Sequence, residues 1–146
     1  MRAEDERPAL HRQHRALQAL AERLEALLGE LSLGGRPEGA EVEPLLEEFR
    51  HRLVVHLEME ERSGLFERAA IGEPRLSRRI ERLRLEHHDL RHGVTVLAAG
   101  VASSHGPADW SGLATRFAAF RRVLRDHEQA ENDVLHSAYF QDLGGG

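Results

Sequence analysis

Four of the ten histidines in this 146-residue chain stand where a helical bundle normally carries an apolar side chain. Two glutamates share this property, and each follows one of those histidines by four residues, as in His56/Glu60 and His127/Glu131. The i,i+4 spacing places both members of a pair on one helical face. The complete set is His14, His56, Glu60, His87, His127 and Glu131. A buried carboxylate normally requires a partner or a metal, so the set predicts a metal centre.

Apolar residues spaced alternately by three and four surround each member of this set. Such spacing keeps side chains on one face of a helix, and that face packs against the bundle axis. Four hydrophobic faces occur in order: Leu10, Leu17, Ala21, Leu24, Leu28 and Leu31; Leu46, Phe49 and Leu53; Ile80, Leu83, Leu90, Val94, Leu97 and Val101; and Phe117, Phe120, Leu124, Val134 and Ala138. The pattern predicts four amphipathic helices whose core contains a polar layer.

Glycine, proline and serine residues between the apolar segments predict helices over residues 4–32, 42–70, 75–103 and 109–142. Short loops between them favour an all-α, up-down-up-down antiparallel four-helix bundle that forms a single domain over 1–146. At 1.5 Å per residue, the six polar residues fall in one layer to within about one turn. Two local features are also expected: a kink at Ser63-Gly64, just beyond Glu60, and an N-cap at Asp109.

Composition excludes several classes of site. The chain has no cysteine, which excludes disulfides, iron–sulfur clusters and thiolate zinc sites. Its net charge of −5 argues against nucleic-acid binding, and the five arginines between positions 75 and 84 alternate with glutamates as on a solvated helix face. The first seven residues lack the apolar core of a secretory signal, and no apolar stretch is long enough to span a membrane. We therefore expect a cytoplasmic protein without a membrane partner.

Ligand number and type guide the choice of metal. Imidazole and carboxylate suit iron, zinc, manganese or copper. Four histidines and two bridging carboxylates exceed the needs of one tetrahedral zinc and suit two octahedral metals about 3–4 Å apart. We predict a di-iron centre, with two zinc ions, manganese or a single metal as alternatives.

The whole pattern resembles the hemerythrin-like HHE cation-binding domain family. The resemblance rests on a first histidine, two His-x-x-x-Glu motifs and a histidine in a Glu-His-x-x-Leu context, Glu86 to Leu90, and it extends over about residues 8–142. Glu60-Glu61 followed by Leu65-Phe66 also looks like the corresponding segment of that family. The resemblance implies that the six residues hold two iron ions, joined by an oxo or hydroxo bridge, and that both glutamates bridge them.

The chain departs from the oxygen-carrying hemerythrins, which have a fifth ligand histidine one turn from the other on the third helix. The positions one turn from His87 are here Leu83 and Arg91. His88 and His92 have the required i,i+4 spacing, but they lie off the hydrophobic face and would displace His87.

The missing histidine changes the number of open coordination positions. After four histidines, two bridging glutamates and one oxo bridge are counted, two octahedral irons keep two open positions, against one in a five-histidine site. Open positions favour ligand exchange and redox chemistry over reversible dioxygen storage. Glu61, Tyr139 or a solvent molecule are the candidates to close one of them.

The sequence thus predicts a non-haem di-iron protein that binds or reacts with dioxygen, peroxide or nitric oxide. The alternative is an iron or oxygen sensor, or an iron-storage protein, without turnover. A third reading is a structural bundle with a polar specificity layer. Metal content separates the third reading from the others, and turnover with peroxide or nitric oxide separates the first two. The expected partner is a small diatomic or peroxide ligand, and the sequence does not determine the oligomeric state.

Overall fold

The computed structural model describes residues 3–34 and 39–139, and this part of the chain is helical, with no β-strand. Its elements are α1 (Ala3–Ser32), α2 (Val42–Ser63), α3 (Leu65–Gly72), a 3-10 turn (Pro74–Leu76), α4 (Ser77–Ala102) and α5 (Pro107–Tyr139). The four long helices contact one another in a ring in which α1 and α4 each touch both α2 and α5. The predicted all-α class and helical bundle are therefore confirmed.

The prediction of one continuous helix over 42–70 is wrong, because the helix is interrupted at Gly64. This glycine adopts the left-handed conformation with φ 72°, which separates α2 from α3. Such a conformation strains residues with a Cβ, so glycine suits the break. The short helix α3 packs against α4 and α5, and the Tyr139 hydroxyl donates a 2.7 Å hydrogen bond to the Leu65 carbonyl. The expected kink is thus a complete break that places α3 near the end of the site layer.

The start of the last helix also differs from the prediction. It begins with Pro107, where a missing amide hydrogen costs nothing, and the predicted N-cap at Asp109 is wrong. The Asp109 carboxylate instead accepts a 3.1 Å hydrogen bond from the backbone N–H of His105. The last part of the predicted helix, residues 140–142, lies outside the described residues.

The hydrophobic core divides around the polar layer. The largest cluster joins residues 17–31 of α1, 42–57 of α2, 90–101 of α4 and 110–124 of α5. Two smaller clusters lie on the other side of the layer and include Leu10, Leu65, Ile80, Val134 and Leu135. The predicted hydrophobic faces are buried throughout, except that Phe120 and Ala138 are half-buried. The six polar residues therefore lie between two packed regions that fix the helices around them.

The outer surface of the bundle is largely polar, although six large apolar side chains are exposed among the described residues: Leu33, Val55, Ile71, Leu85, Val96 and Val123. The five arginines between positions 75 and 84 are all exposed, as expected for a solvated helix face. None of the described helices combines the length and apolar character needed to cross a lipid bilayer. Trp110, by contrast, is buried, and its ring lies so close to Gly39 that a Cβ there would overlap it. The Trp110 indole of α5 thus packs against the loop that precedes α2.

Candidate metal centre

All six predicted residues lie in one buried layer of the bundle. They come from four helices: His14 from α1, His56 and Glu60 from α2, His87 from α4, and His127 and Glu131 from α5. None is more than 9% exposed, and the two glutamates are 3% and 2% exposed. The remaining histidines, His11, His51, His88, His92, His105 and His136, are exposed. The alternative register with His88 and His92 as the inward pair therefore does not occur.

The six side chains form two overlapping clusters. His14 and His56 belong to one, which we call the α1/α2 half, and His87 and His127 belong to the other, the α4/α5 half. Glu60 and Glu131 are members of both. Within each cluster the four potential ligand atoms all lie within 4.8 Å of one another. Two carboxylates that each face two pairs of imidazoles form a donor set that can hold metal ions.

Each histidine directs its Nε2 atom towards the glutamates. The distance from His56 Nε2 to Glu60 Oε1 is 2.5 Å, and that from His127 Nε2 to Glu131 Oε2 is 3.1 Å. Both pairs have the predicted i,i+4 spacing, so one turn of helix positions each imidazole over its carboxylate.

The two other histidines reach both carboxylates from neighbouring helices. His87 Nε2 lies 3.3 Å from Glu60 Oε2 and 3.6 Å from Glu131 Oε2. His14 Nε2 is farther away, 3.9 Å from Glu60 and 3.7 Å from Glu131. Four imidazoles thus surround two carboxylates without a compensating lysine or arginine at these distances among the described residues.

The chemistry of the inward atoms fits metal ions. Six buried atoms of this layer have no hydrogen-bond partner among the described residues: Nε2 of His14, His56 and His127, Oε2 of Glu60, and both carboxylate oxygens of Glu131. Most buried polar groups in proteins are satisfied, and each exception requires an explanation. Since these atoms are all nitrogen or carboxylate oxygen and converge, cations are the partners that satisfy the whole set.

Without cations, the pKa values of three residues in this layer are shifted from their ordinary values. Burial raises the pKa of Glu131 well above its usual range, and the negative charge of Glu60 raises it further. Burial acts on Glu60 in the same direction, but interactions with Glu131 and the surrounding histidines outweigh it and hold the Glu60 pKa well below its usual range. Burial lowers the pKa of His87, but the two glutamates outweigh it and raise that pKa to about 9. Protons therefore occupy part of the site when no cation does.

Three polar residues contact the outer nitrogens of three of the four histidines, and the sequence predicted this role for none of them. His56 Nδ1 lies 2.6 Å from Gln13 Oε1, and His127 Nδ1 lies 2.7 Å from Glu86 Oε1. His87 Nδ1 lies 3.4 Å from Oε2 of Glu61. An imidazole that donates its Nδ1–H to an oxygen keeps the lone pair on Nε2, which is then free to bind a metal.

Glu128 is a further buried residue that the sequence analysis missed. It is 5% exposed, it follows His127 directly, and burial raises its pKa. It lies on the side of α5 that faces α1, beside Leu17 and Ala21, and belongs to neither cluster of potential ligands. The one available sequence signal was its i+4 spacing from Leu124, which places it on the flank of the hydrophobic face.

Two cavities lead from the surface to this layer. The larger, of about 700 Å³, reaches His14, Glu60 and Glu131 between α1, α3 and α5. The smaller, of about 310 Å³, reaches His87 and the same two glutamates from the side of α2 and α4. Phe66 of α3 lines both cavities, so the helix created by the break at Gly64 separates the two routes.

The fold and the site together define a helical bundle with a buried His/Glu centre suited to cations. A family model described as the hemerythrin HHE cation binding domain matches residues 6–140, nearly the whole chain. The chain therefore belongs to this family, and the resemblance inferred from the motifs is confirmed. Neither the curated proteins nor the solved structures gave a significant match.

Proposed function

We propose that this chain is a non-haem di-iron protein that binds or reacts with dioxygen, peroxide or nitric oxide. The observation that carries the proposal is the membership of Glu60 and Glu131 in both ligand clusters. His14 and His56 would hold one iron ion, His87 and His127 the other, and each glutamate would contact both. A single ion would leave one pair of buried imidazoles without a partner, which makes a mononuclear site the poorer fit.

The donor set is compatible with iron. Four imidazoles with two carboxylates suit iron, zinc and manganese, and the chain has no cysteine to favour thiolate-bound metals. When bound, a pair of iron ions supplies electrons, or an electron sink, to a small ligand. The residues of the chain fix the positions of the donors, limit the contact of the layer with bulk water to the two cavities, and hold the Nδ1 protons of three histidines.

The residues that stand in place of a fifth histidine favour reaction with a small ligand over reversible carriage of dioxygen. Leu83 is buried and offers no donor, and Arg91 forms an ion pair with Glu61. The Glu61 carboxylate is thus engaged by Arg91 and by His87 Nδ1. The Tyr139 hydroxyl is likewise engaged, by the Leu65 carbonyl. Because both side chains considered as substitutes for the histidine have other partners, a solvent molecule or an external ligand that arrives through the cavities would take an open position.

Helix topology forms part of the same proposal. We infer the up-down-up-down order over a single domain, because the main core unites the C-terminal parts of α1 and α4 with the N-terminal parts of α2 and α5. In a bundle with that order, consecutive long helices run antiparallel and bring the mid-helix residues to one level.

The experiment that tests the function is anaerobic loading with ferrous iron followed by stopped-flow mixing with dioxygen. We expect two irons per chain and oxidation within seconds, and we expect the same of His88→Ala, whose substituted residue is exposed. An optical product that persists for many minutes and reverses when oxygen is removed would assign the chain to the oxygen carriers. Absence of any reaction with dioxygen, peroxide or nitric oxide would contradict the proposal and favour a sensor or a store.

A further inference from the structure

The two halves of the site differ in what holds the outer nitrogens of their histidines. In the α4/α5 half, the carboxylate of Glu86 lies 2.7 Å from His127 Nδ1. In the α1/α2 half, the neutral amide oxygen of Gln13 lies 2.6 Å from His56 Nδ1. The distances match, so the difference between the two contacts is one of charge. An imidazole that donates to a carboxylate is the more basic ligand of the two, because the negative charge polarises the ring towards its Nε2 lone pair.

The second histidine of the α4/α5 half also has a carboxylate neighbour. His87 Nδ1 lies 3.4 Å from Glu61 Oε2, and the other oxygen of Glu61 pairs with Arg91. The arginine reduces the charge that His87 experiences, so Glu86 makes the larger contribution in this half. Glu86 itself is half-buried, which limits the screening of its charge by water.

The two cavities divide the site in the same sense, because the larger is lined by His14 and the smaller by His87. His14, in the α1/α2 half, is the most exposed of the four histidines at 9%, and it lines the larger cavity of about 700 Å³. Its Nε2 atom is 3.7 Å and 3.9 Å from the nearest oxygens of the two glutamates. In the α4/α5 half, His87 is 5% exposed and lines the smaller cavity of about 310 Å³, and the other histidine of each half, His56 or His127, lines neither cavity. Water and chelators thus have the wider route to the α1/α2 half.

We propose that the two metal positions are inequivalent: the α4/α5 half binds its ion first and more tightly, and the α1/α2 half exchanges its ion with solution. Glu86 and Gln13 are the positioning residues that set this difference through the rings of His127 and His56. The inference rests on the proposed two-metal function.

Titration of the metal-free protein with zinc, against a chelator of known affinity, tests the inference without any turnover. We expect two binding steps per chain. Glu86→Gln keeps the shape of the side chain and removes its charge, so it weakens the tighter step by about tenfold or more and leaves the weaker step unchanged. Gln13→Glu introduces the charge on the other side and tightens the weaker step by a similar factor. Glu81→Gln, an exposed glutamate on the same helix as Glu86, leaves both steps unchanged.

Loss of one histidine identifies which half corresponds to which step. His14→Ala removes the weaker step and retains one tightly bound zinc, whereas His127→Ala removes the tighter step. Circular dichroism and urea unfolding of each metal-free variant show whether it is folded. If Glu86→Gln fails to fold, the Gln13→Glu and His14→Ala variants still test the order of binding.

The outcomes separate this inference from the proposed function. At most one zinc per chain in the wild-type protein refutes the two-metal centre itself. Two zinc ions with a single shared affinity, or a Glu86→Gln variant that weakens the weaker step, overturn the inequivalence and leave the two-metal centre intact.

Discussion

Glu60 and Glu131 belong to both ligand clusters, and their pKa values are shifted in opposite directions in the metal-free protein. Burial and the charge of Glu60 raise the pKa of Glu131 well above its usual range. Burial also acts to raise the pKa of Glu60, but Glu131 and the surrounding histidines outweigh it and hold that pKa well below its usual range. The opposite shifts favour a proton on Glu131 beside an ionised Glu60, and both carboxylates are within reach of either pair of histidines. Cation binding must displace that proton.

The shared glutamates make a first prediction about metal content. Glu60→Ala and Glu131→Ala each remove a donor from both clusters, so each variant should lose both metal ions. His88→Ala and His92→Ala are matched controls, because both histidines are exposed on α4, and they should retain two ions. Elemental analysis after anaerobic iron loading measures the difference. Loss of iron in His88→Ala or His92→Ala, with iron retained in His87→Ala, would show that the inward pair has been misassigned.

Metal affinity should rise with pH up to about pH 9. The glutamates raise the pKa of His87 to about 9 against the effect of burial, so at neutral pH its imidazole is protonated in the metal-free protein. Coordination requires the neutral ring, and each proton released adds up to about tenfold in affinity per pH unit. Chelator competition with zinc at pH 6, 7 and 8 measures the slope. An affinity that does not change over this range would contradict the assignment of His87 as a ligand.

The raised pKa of His87 also predicts how the stability of the metal-free protein changes at high pH. A folded pKa above the ordinary value of 6.5 means that the native state holds the proton more firmly than the unfolded chain does. The stabilisation is therefore complete below pH 6.5 and is lost as pH rises through about 9. Urea unfolding of the metal-free protein should show this decline, and a stability that increases between pH 7 and 9 would contradict it.

Glu128→Gln should stabilise the metal-free protein at neutral pH and leave two metal ions bound. Burial raises the pKa of Glu128, and its Oε1 atom has no hydrogen-bond partner among the described residues, so its ionised form opposes folding. The expected gain is about 1 kcal/mol at pH 7. Because the folded pKa lies above the ordinary 4.5, the gain should diminish as pH falls towards 4.5. Loss of a metal ion in this variant would show that Glu128 is a ligand.

Much of the site follows from the sequence because it depends on local spacing. The i,i+4 pairs and the three–four alternation fix which residues face inward, and helix rise fixes their depth, so His14 and His87 could be placed beside the two His-x-x-x-Glu pairs. The contacts of Gln13 with His56 and of Glu86 with His127 join residues 43 and 41 positions apart. No local pattern encodes such pairs, because they depend on the relative rotation of two helices.

The break at Gly64 shows a second limit of local reasoning. The Ser63-Gly64 pair predicted an interruption of the helix, but residue propensity alone does not distinguish a kinked helix from two separate helices. The difference is decided by the tertiary contacts of α3, including the hydrogen bond from Tyr139 to the Leu65 carbonyl 74 positions away. Glu128 illustrates the same limit, since its burial depends on the side of α5 that α1 covers.

Removal of the metal should destabilise the fold. Ions that bind the native state alone add stability by linkage, about 4 kcal/mol when the free metal exceeds the dissociation constant by about 1000-fold. The metal-free layer keeps six buried polar atoms without hydrogen-bond partners among the described residues. Thermal unfolding with and without metal at pH 7 measures the effect. A metal-free form that melts within about two degrees of the loaded form would contradict a centre embedded in the core.

The central claim, two iron ions bridged by the same pair of glutamates, is tested most directly by anomalous diffraction at the iron edge from crystals of the iron-loaded protein. We expect two anomalous peaks per chain, one beside His14 and His56 and the other beside His87 and His127, both in contact with Glu60 and Glu131. A single peak, or peaks that contact one glutamate each, would contradict it.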